Sequence, residues 1–470
     1  MDVINYLFPF EFIDRNSKVV IYGLGKCGKE YISQIEETTW CEIVGVCDKY
    51  KKSHPYRYPS VSVEELRDSD NYDYVIVAIT SNGIWEEACE YLKNNGIKKE
   101  KIISKFELTS SRPGMRSIIT GQDDCKSESG KDNHPLETLF IMRGGIGDGV
   151  METALYAELI RMVPDMIIDV YGEPYFSFLY SPKANVRKVY NYHVDSIQYS
   201  DYDLVLEGSW GISISHCDLK RIHSHSQELY DTVMRTIEAM KNNALVNRVC
   251  MARLKGKDKF WLMSREGVWN ISPKNINVDL VEEYKEEFKK LGLKKYITFN
   301  CGADMRRINE PGEFPTKVWP VEYFEQLSKM ISSKFPDYEV IQLGSKNATK
   351  VEGASGNLLG LSMELVEYIV ANSTLHIDDE GGLVHLATAF GTKCIVLFGP
   401  TPRDLLGYPQ NINLCTDVCR GCFPLGKWNA TCALGMKRPK CMYSLTPELV
   451  MEEVATYIMS IKKGAQVEKI

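Results

Sequence analysis

The chain has 470 residues, of which 44% are hydrophobic and 25% are charged, and its 56 basic and 63 acidic residues give a net charge of −7. This is the composition of a globular protein of about three domains, and its acidic balance argues against nucleic acid as a main partner. No apolar run approaches the ~20 residues of a membrane-spanning helix, and the first residues lack the basic region of a signal peptide. We therefore expect a cytoplasmic protein without a transmembrane segment. A peripheral contact with a membrane is compatible with this expectation.

The first predicted domain, residues 1–112, has the strand–helix alternation of a Rossmann-like fold. A strand runs into a G-x-G-x-x-G loop, and a second strand ends at an acid about 20 residues after the last glycine, where Rossmann domains contact a ribose hydroxyl. The candidate nucleotide-binding residues are Gly23, Gly25, Gly28 and Asp48. A nucleotide or sugar nucleotide is the predicted ligand, and a degenerate module without a ligand is the alternative.

Four segments of this domain resemble the small Rossmann-like domain that precedes sugar acyltransferases and sugar-modifying methyltransferases of bacterial glycan pathways. They read KVVIYGLGKCGKE, EIVGVCDKY, VSVEEL and YDYVIVAI. The resemblance implies glycan assembly as the context and a docking or sensing role. An NAD-linked enzyme is a further hypothesis, although no residue here is an obvious acid or base for hydride transfer. Residues 113–135 are polar, have little periodicity and predict a linker.

The second domain, predicted over 136–293, opens with a strand that runs into glycines and an acid at the start of an amphipathic helix. Gly145 and Gly147 belong to this loop, and Asp148 ends it. Open α/β folds bind ligands at such loops, at the carboxyl edge of a parallel sheet. Asp148 is therefore a candidate functional carboxylate, and a helix N-cap is the alternative.

The third domain, predicted over 294–470, repeats this order of strands and helices. Its stretch LHIDDEGGLVHLATAFGTKCIVLFGPT (375–401) indicates a strand, a glycine loop, a helix that Gly391 ends, and another strand. A helix that starts after glycines offers free N–H groups to an anion, for which phosphate is the natural candidate. An ordinary turn of an α/β core is the alternative. We predict the α/β fold class, with two doubly wound, Rossmann-like halves facing a crevice and an extra Rossmann-like domain before them.

The two predicted halves bring complementary chemistry to the crevice. Lys317 and the helix N-terminus after the glycine loop would stabilise a leaving diphosphate. Asp148, from the opposite half, would accept a proton from an attacking hydroxyl. This combination predicts group transfer from a nucleotide-activated donor.

Residues ~136–455 resemble the heptosyltransferases, which are family-nine glycosyltransferases of the GT-B fold. The motifs are FIMRGGIGDGVMETAL, KVWP, EGGLVHLATAFGTKCIVLFGPT and CMYSLTPELV. The resemblance implies an inverting transfer of a sugar, typically heptose from ADP-heptose, to a glycan, lipid-linked or protein acceptor, without a catalytic metal. It implies Asp148 as general base and Lys317 as a contact to the donor phosphate. It also implies a donor-binding loop made of Glu380, Gly381, Gly382, Leu383 and His385. We expect a homo-oligomer.

The chain departs from the family pattern D-S/T-G-x-x-H, because it has Glu380 at the acid and Gly381 at the hydroxyl residue. Either Asp379 replaces the acid or the donor contacts differ. A non-catalytic nucleotide-sugar-binding or scaffold protein of glycan assembly is therefore the alternative function.

Five of the 14 cysteines lie in the segment 415–441, which we call the cysteine segment. Four of them have a loop spacing that suits a tetrahedral Zn or Fe site: Cys419, Cys422, Cys432 and Cys441. A loop so poor in core residues would gain stability from a structural metal, and the protein-modifying heptosyltransferases that it resembles hold iron with cysteines. Free thiols or a disulfide are the alternative. The scattered cysteines predict reduced thiols.

Overall fold

The computed structural model describes residues 6, 8–9, 12–14, 16–38, 40–49, 54–79, 82–104, 134–208, 210–240, 245–302, 314–418, 422–423, 429–432 and 435–467. The chain divides into two compact units. The first combines Met1–Arg112 with Ala244–Leu254, and the second combines Pro113–Asn243 with Lys255–Ile470. A piece of the predicted second domain, 244–254, thus groups with the N-terminal domain.

The first unit contains a parallel sheet in the order β2–β1–β3–β4. In chain order its elements are β1 (Lys18–Tyr22), α1 (Lys26–Thr38), β2 (Glu42–Cys47), α2 (Val63–Arg67), β3 (Tyr74–Val77), α3 (Asn82–Asn94) and β4 (Ile102–Ser104). Both faces of the sheet are covered, because Val19 and Ile21 lie in one apolar core and Val20 and Tyr22 lie in another. This explains why β1 is apolar at successive positions instead of alternating.

The first half of the second unit is built on a sheet in the order β7–β6–β5–β8–β9, in which β9 is antiparallel to β8. Its elements are β5 (Glu137–Ile141), α4 (Ile146–Met162), β6 (Ile167–Gly172), α5 (Ser177–Tyr180), β7 (Val186–Asn191), β8 (Leu204–Glu207), β9 (Ser213–Cys217), α6 (Leu219–His225) and α7 (Gln227–Ala239). Helix α8 (Leu245–Leu254) belongs to the first unit. The chain then continues in the second unit with α9 (Lys259–Met263) and α10 (Lys285–Lys290).

The second half contains a parallel sheet in the order β12–β11–β10–β13–β14–β15. Its elements are β10 (Tyr296–Asn300), α11 (Val321–Lys334), β11 (Glu339–Gly344), β12 (Gly356–Leu359), α12 (Met363–Ala371), β13 (Leu375–Asp379), α13 (Gly382–Ala389), β14 (Cys394–Leu397), α14 (Arg403–Leu406), β15 (Ile412–Leu414), α15 (Lys440–Tyr443) and α16 (Pro447–Val467). Its core includes Trp319, which is fully buried and donates a hydrogen bond from Nε1 to the carbonyl of Leu445 at 2.7 Å. This contact fixes the residues that follow Lys317 against the C-terminal part of the chain.

The strand orders locate the ligand-binding edges of both halves. The order reverses between β5 and β8 in the first half and between β10 and β13 in the second. Open α/β folds bind ligands outside the carboxyl ends of strands at such switch points, and the loops before α4 and α13 follow β5 and β13. The predicted α/β fold, with two Rossmann-like halves and an additional N-terminal α/β domain, is confirmed. No helix within the described ranges is long and apolar enough to span a bilayer.

Candidate active site between two helix N-termini

The first helix terminus of the site begins at Gly145, which is the N-cap of α4 in extended conformation. Asp148 is the third residue of this helix, and its Oδ2 accepts a hydrogen bond from the Gly145 amide at 2.9 Å. Asp148 is therefore not the N-cap, but its carboxylate, at the third helical position, caps the amide of the N-cap residue. The preceding Gly144 has φ +123°, and a Cβ at this position would lie 2.4 Å from Asp148 Oδ2. Gly144 is thus needed to fold the backbone around this carboxylate.

The second helix terminus belongs to α13, whose N-cap is Gly381. Because a glycine cannot cap with a side chain, the first N–H groups of α13 are available to an anion. The helix ends before Gly391, which has φ +79° as predicted for a residue that stops a helix.

The two helix termini meet at a pair of glycines. A Cβ on Gly147 would lie 2.4 Å from His385 Cδ2 and 3.3 Å from the Cα of Gly382. A Cβ on Gly382 would in turn lie 3.0 Å from the Cβ of Ile146. The predicted convergence of the Asp148 loop with the Gly381–Gly382 loop is therefore present in the structure.

Lys317 contacts the same loop from the segment before Trp319. Its Nζ donates to the Glu380 carbonyl and lies 3.3 Å from Glu380 Oε2. Burial alone would raise the pKa of Glu380, but the charge of Lys317 and the neighbouring His385 outweigh it and lower the pKa to about 2. Burial likewise opposes the charge of Lys317, yet the facing carboxylates raise its pKa above the ordinary value. Glu380 is thus the acid that pairs with the lysine.

Asp379 does not take that role. It ends β13 on the same strand face as Leu375 and Ile377, which belong to the apolar core, and only 2% of it is exposed. Burial, followed by the charge of Asp378, raises its pKa well above the ordinary value. Asp379 is therefore a buried neighbour of the loop and not the hydrogen-bonding partner of Lys317.

His385 is held in one orientation by a tyrosine. Its Nδ1 lies 2.8 Å from the hydroxyl of Tyr408, which is buried. Burial lowers the pKa of His385 despite the nearby Glu380, so the ring is neutral. If the buried hydroxyl donates to Nδ1, the proton of the ring is on Nε2, which lies 3.6 Å from Glu380 Oε1. The loop then carries one further N–H donor.

Lys259 is a site residue that the sequence analysis did not identify. Its Nζ lies 2.9 Å from Asp148 Oδ1, and the lysine comes from the short helix α9. Burial acts to raise the pKa of Asp148, but the charge and hydrogen bond of Lys259, with the Gly145 amide, lower it below the ordinary value. No motif surrounds Lys259 in the sequence, so only the fold reveals this contact.

The other predicted site residues are Leu383 in the second unit and the glycine loop with Asp48 in the first unit. Leu383 is partly buried in the first turn of α13. In the first unit, a Cβ on Gly28 would lie 2.0 Å from the carbonyl oxygen of Gly23, and Gly25 faces open space. The carboxylate of Asp48 accepts a hydrogen bond from the Leu24 amide at 2.7 Å, so it closes the glycine loop. Its contact with a ribose stays a prediction.

The cysteine segment is only partly described. Cys419 lies outside the described residues, Cys422 is partly exposed, and Cys432 and Cys441 are buried thiols. Among the described side chains, no three His, Cys, Asp or Glu residues gather as a metal site requires. The four-cysteine site therefore stays a prediction, which metal analysis of the purified chain tests.

The backbone of the cysteine segment supports the segment that carries Lys317. The amide of Phe314 donates to the carbonyl of Ala430 at 2.9 Å, and the amide of Thr316 donates to that of Asn429 at 3.3 Å. Whatever its metal content, this segment therefore orders one side of the site.

Two family models match parts of the chain. Residues 272–422 match the model described as glycosyltransferase family 9 (heptosyltransferase), and residues 15–103 match the model described as C2185-like, N-terminal. Residues 272–422 are thus similar to family-nine glycosyltransferases, which confirms the resemblance drawn from the motifs and the prediction of a glycosyltransferase enzyme. No match was found among curated proteins.

Several solved structures are similar to part of the chain. The ADP-heptose LPS heptosyltransferase II of E. coli is 17% identical with a TM-score of 0.46, over 70% of this chain and 100% of that one. A family-nine glycosyl transferase from Veillonella parvula DSM 2008 is 15% identical with a TM-score of 0.45, over 69% and 98%. The iron-containing dodecameric glycosyltransferase TibC of enterotoxigenic E. coli H10407 is 12% identical with a TM-score of 0.45, over 70% and 81%.

Proposed function

We propose that the chain is an inverting glycosyltransferase that moves a sugar, heptose from ADP-heptose, to a hydroxyl of a glycan, lipid-linked or protein acceptor. The family match supplies the reaction class. The observation that supports the assignment of residues is the approach of Gly147 to Gly382, because Asp148 follows Gly147 in the first turn of α4 and Gly382 begins α13.

In the proposed reaction, Asp148 accepts the proton of the acceptor hydroxyl while the acceptor oxygen forms a bond to the anomeric carbon. The bond from that carbon to the phosphate oxygen breaks, and its electron pair leaves with ADP. Attack from the side opposite the leaving group inverts the configuration. Lys317 and the α13 amides are suited to the charge that develops on the diphosphate, because fixed donors stabilise charge better than water that must reorganise.

Donor binding has to rearrange the contact between Lys317 and Glu380. In the structure Glu380 takes up the lysine's charge and part of its hydrogen-bonding capacity. A donor phosphate must therefore share Lys317 with Glu380 or displace the carboxylate. The N–H that we infer on His385 Nε2 is a further donor close to this position.

Two variants test the proposal. Asp148→Asn should lower transfer by about 10²–10⁴-fold, the usual contribution of a general base, and should leave nucleotide binding intact. Lys317→Ala should lose the thermal stabilisation by ADP or ADP-heptose, which for the wild type is about 2.7 kcal/mol at 100 times the dissociation constant. Wild-type turnover by Asp148→Asn would refute the base. An ADP response that Lys317→Ala leaves unchanged would refute the donor site.

A second function is a nucleotide-sugar-binding protein of glycan assembly that catalyses no transfer. Two observations favour it: Gly381 offers no hydroxyl at the donor loop, and Glu380 already neutralises Lys317. This function predicts stabilisation by nucleotide sugars without transfer or hydrolysis for any acceptor offered.

A further inference from the structure

We propose that Lys259 is a positioning residue that keeps the Asp148 carboxylate ionised and directed into the crevice, and that an aromatic pair joining the two halves holds Lys259 in place. This inference rests on the proposed function, because it concerns the base of that reaction. It adds a residue and a physical coupling that the sequence motifs do not contain.

The carboxylate of Asp148 is held at both oxygens. Oδ1 accepts from Lys259 Nζ at 2.9 Å, and Oδ2 accepts from the Gly145 amide at 2.9 Å. The lysine side chain is 7% exposed and that of Asp148 is 20% exposed. A carboxylate fixed at two oxygens cannot rotate freely, so its remaining lone pairs keep one direction relative to the crevice.

Lys259 is also the cation that makes an ionised base possible here. Burial raises the pKa of Asp148, and Lys259 is the largest influence that lowers it. The other titratable groups facing Asp148 do not replace this charge, because His385 is neutral and burial raises the pKa of Tyr408, which therefore keeps its proton. The charge of Lys259 also helps to lower the pKa of Glu380 in the donor loop. The base therefore depends on one lysine.

Lys259 is itself fixed by aromatic residues. Its Nζ lies 4.4 Å from the ring centroid of Trp210, and the ring of Trp210 lies 4.8 Å from that of Phe423 at an angle of 33°. Phe423 belongs to the cysteine segment of the second half, whereas Trp210 belongs to the first half. The neighbouring Phe260 packs on Tyr408, also of the second half, at 6.1 Å.

These contacts make the state of the base depend on the apposition of the two halves. When the halves are together, Trp210 and Phe423 hold the ammonium group at Asp148, and the attraction of a cation to an aromatic face strengthens as water is excluded. After proton transfer, the same lysine favours release of the proton from Asp148, which restores the carboxylate for the next acceptor. Lys259 thus acts through Asp148, without touching the reacting atoms.

The test compares the pH profiles of kcat/KM for sugar transfer in the wild type, Lys259→Met and Lys259→Arg. In Lys259→Met no cation opposes the rise that burial causes in the pKa of Asp148. The acid limb of the profile should therefore move to higher pH, and most of the lost rate should return as the pH rises. Lys259→Arg keeps a cation and should hold the acid limb near its wild-type position. A purely structural lysine would lower the rate at every pH alike. An acid limb that does not move in Lys259→Met would overturn the proposal.

A second measurement separates this inference from the proposed function. Thermal unfolding of Asp148→Asn, Lys259→Met and the double variant at neutral pH gives the coupling between the two side chains. Each single variant should lower Tm. The double variant should lose less Tm than the two single variants together, because a lone buried charge costs more than an absent pair. Additive losses would overturn the ion pair even in an active enzyme. Coupling without any transfer would reject the proposed function and keep the pair.

Discussion

The close contact between Gly147 and the donor loop predicts that adding one methyl group, in Gly147→Ala, disturbs the site. In Gly147→Ala the new Cβ would lie 2.4 Å from His385 Cδ2, whereas two carbon atoms normally approach to about 3.5 Å. His385 cannot move aside easily, because it is buried and bonded to Tyr408. The two helix termini must therefore separate by about 1 Å, and a misplacement of about 1 Å can cost about 10²-fold in rate.

The matched control is Gly145→Ala in the same loop. A Cβ there meets nothing within 4 Å, and the backbone, with φ −92°, accepts alanine. Overpacking in Gly147→Ala should cost about 1–3 kcal/mol, and loss of a favourable N-cap in Gly145→Ala about 1 kcal/mol, so the stabilities are comparable. We expect Gly147→Ala to lose transfer by about 10²-fold and Gly145→Ala to stay within a few-fold of wild type. Equal rates in the two variants would refute the argument that the glycine contact aligns the site.

Three further predictions follow from contacts around the crevice. Folding lowers the pKa of Glu380 from 4.5 to about 2, so the pairing of this carboxylate stabilises the fold fully at pH values above 4.5, and the stabilisation is lost as the pH falls towards 2. In urea unfolding, the difference in stability between the wild type and Glu380→Gln should shrink over this pH range. Phe423→Ala removes the ring on Trp210 and should cost about 0.5–1.5 kcal/mol beyond lost burial, with a shift in tryptophan emission, and unchanged emission would contradict the contact. Gly381→Ser would put a Cβ 3.1 Å from Asp378 Oδ2; we expect a lower Tm, and improved stability with tighter ADP binding would show that the loop adapts.

The glycine loops of the site could be predicted because each is marked by residues that are close together in the sequence. A strand, a run of glycines and an amphipathic helix follow one another within a few residues, so the loops before α4 and α13 are visible in the sequence. The choice between Glu380 and Asp379 depends on strand geometry instead. All five residues of β13 are buried, and Asp379 lies on the same face as Ile377, whereas Glu380 follows the strand and contacts Lys317.

Other features depend on contacts between distant parts of the chain. Lys259 is 111 residues from Asp148, and its short helix carries no motif. The antiparallel strand β9 was not predicted, because its residues Ser213–Cys217 form no apolar run and carry no motif.

The grouping of helix α8 with the first unit has a consequence for how the N-terminal module can be exchanged or removed. The chain passes between the two units more than once, because it leaves the second unit before α8 and re-enters it at Lys255. A truncation at the linker would leave α8 without the unit to which it belongs, and a transplanted module would have to bring its own version of this helix. The re-entry point lies only a few residues before Lys259.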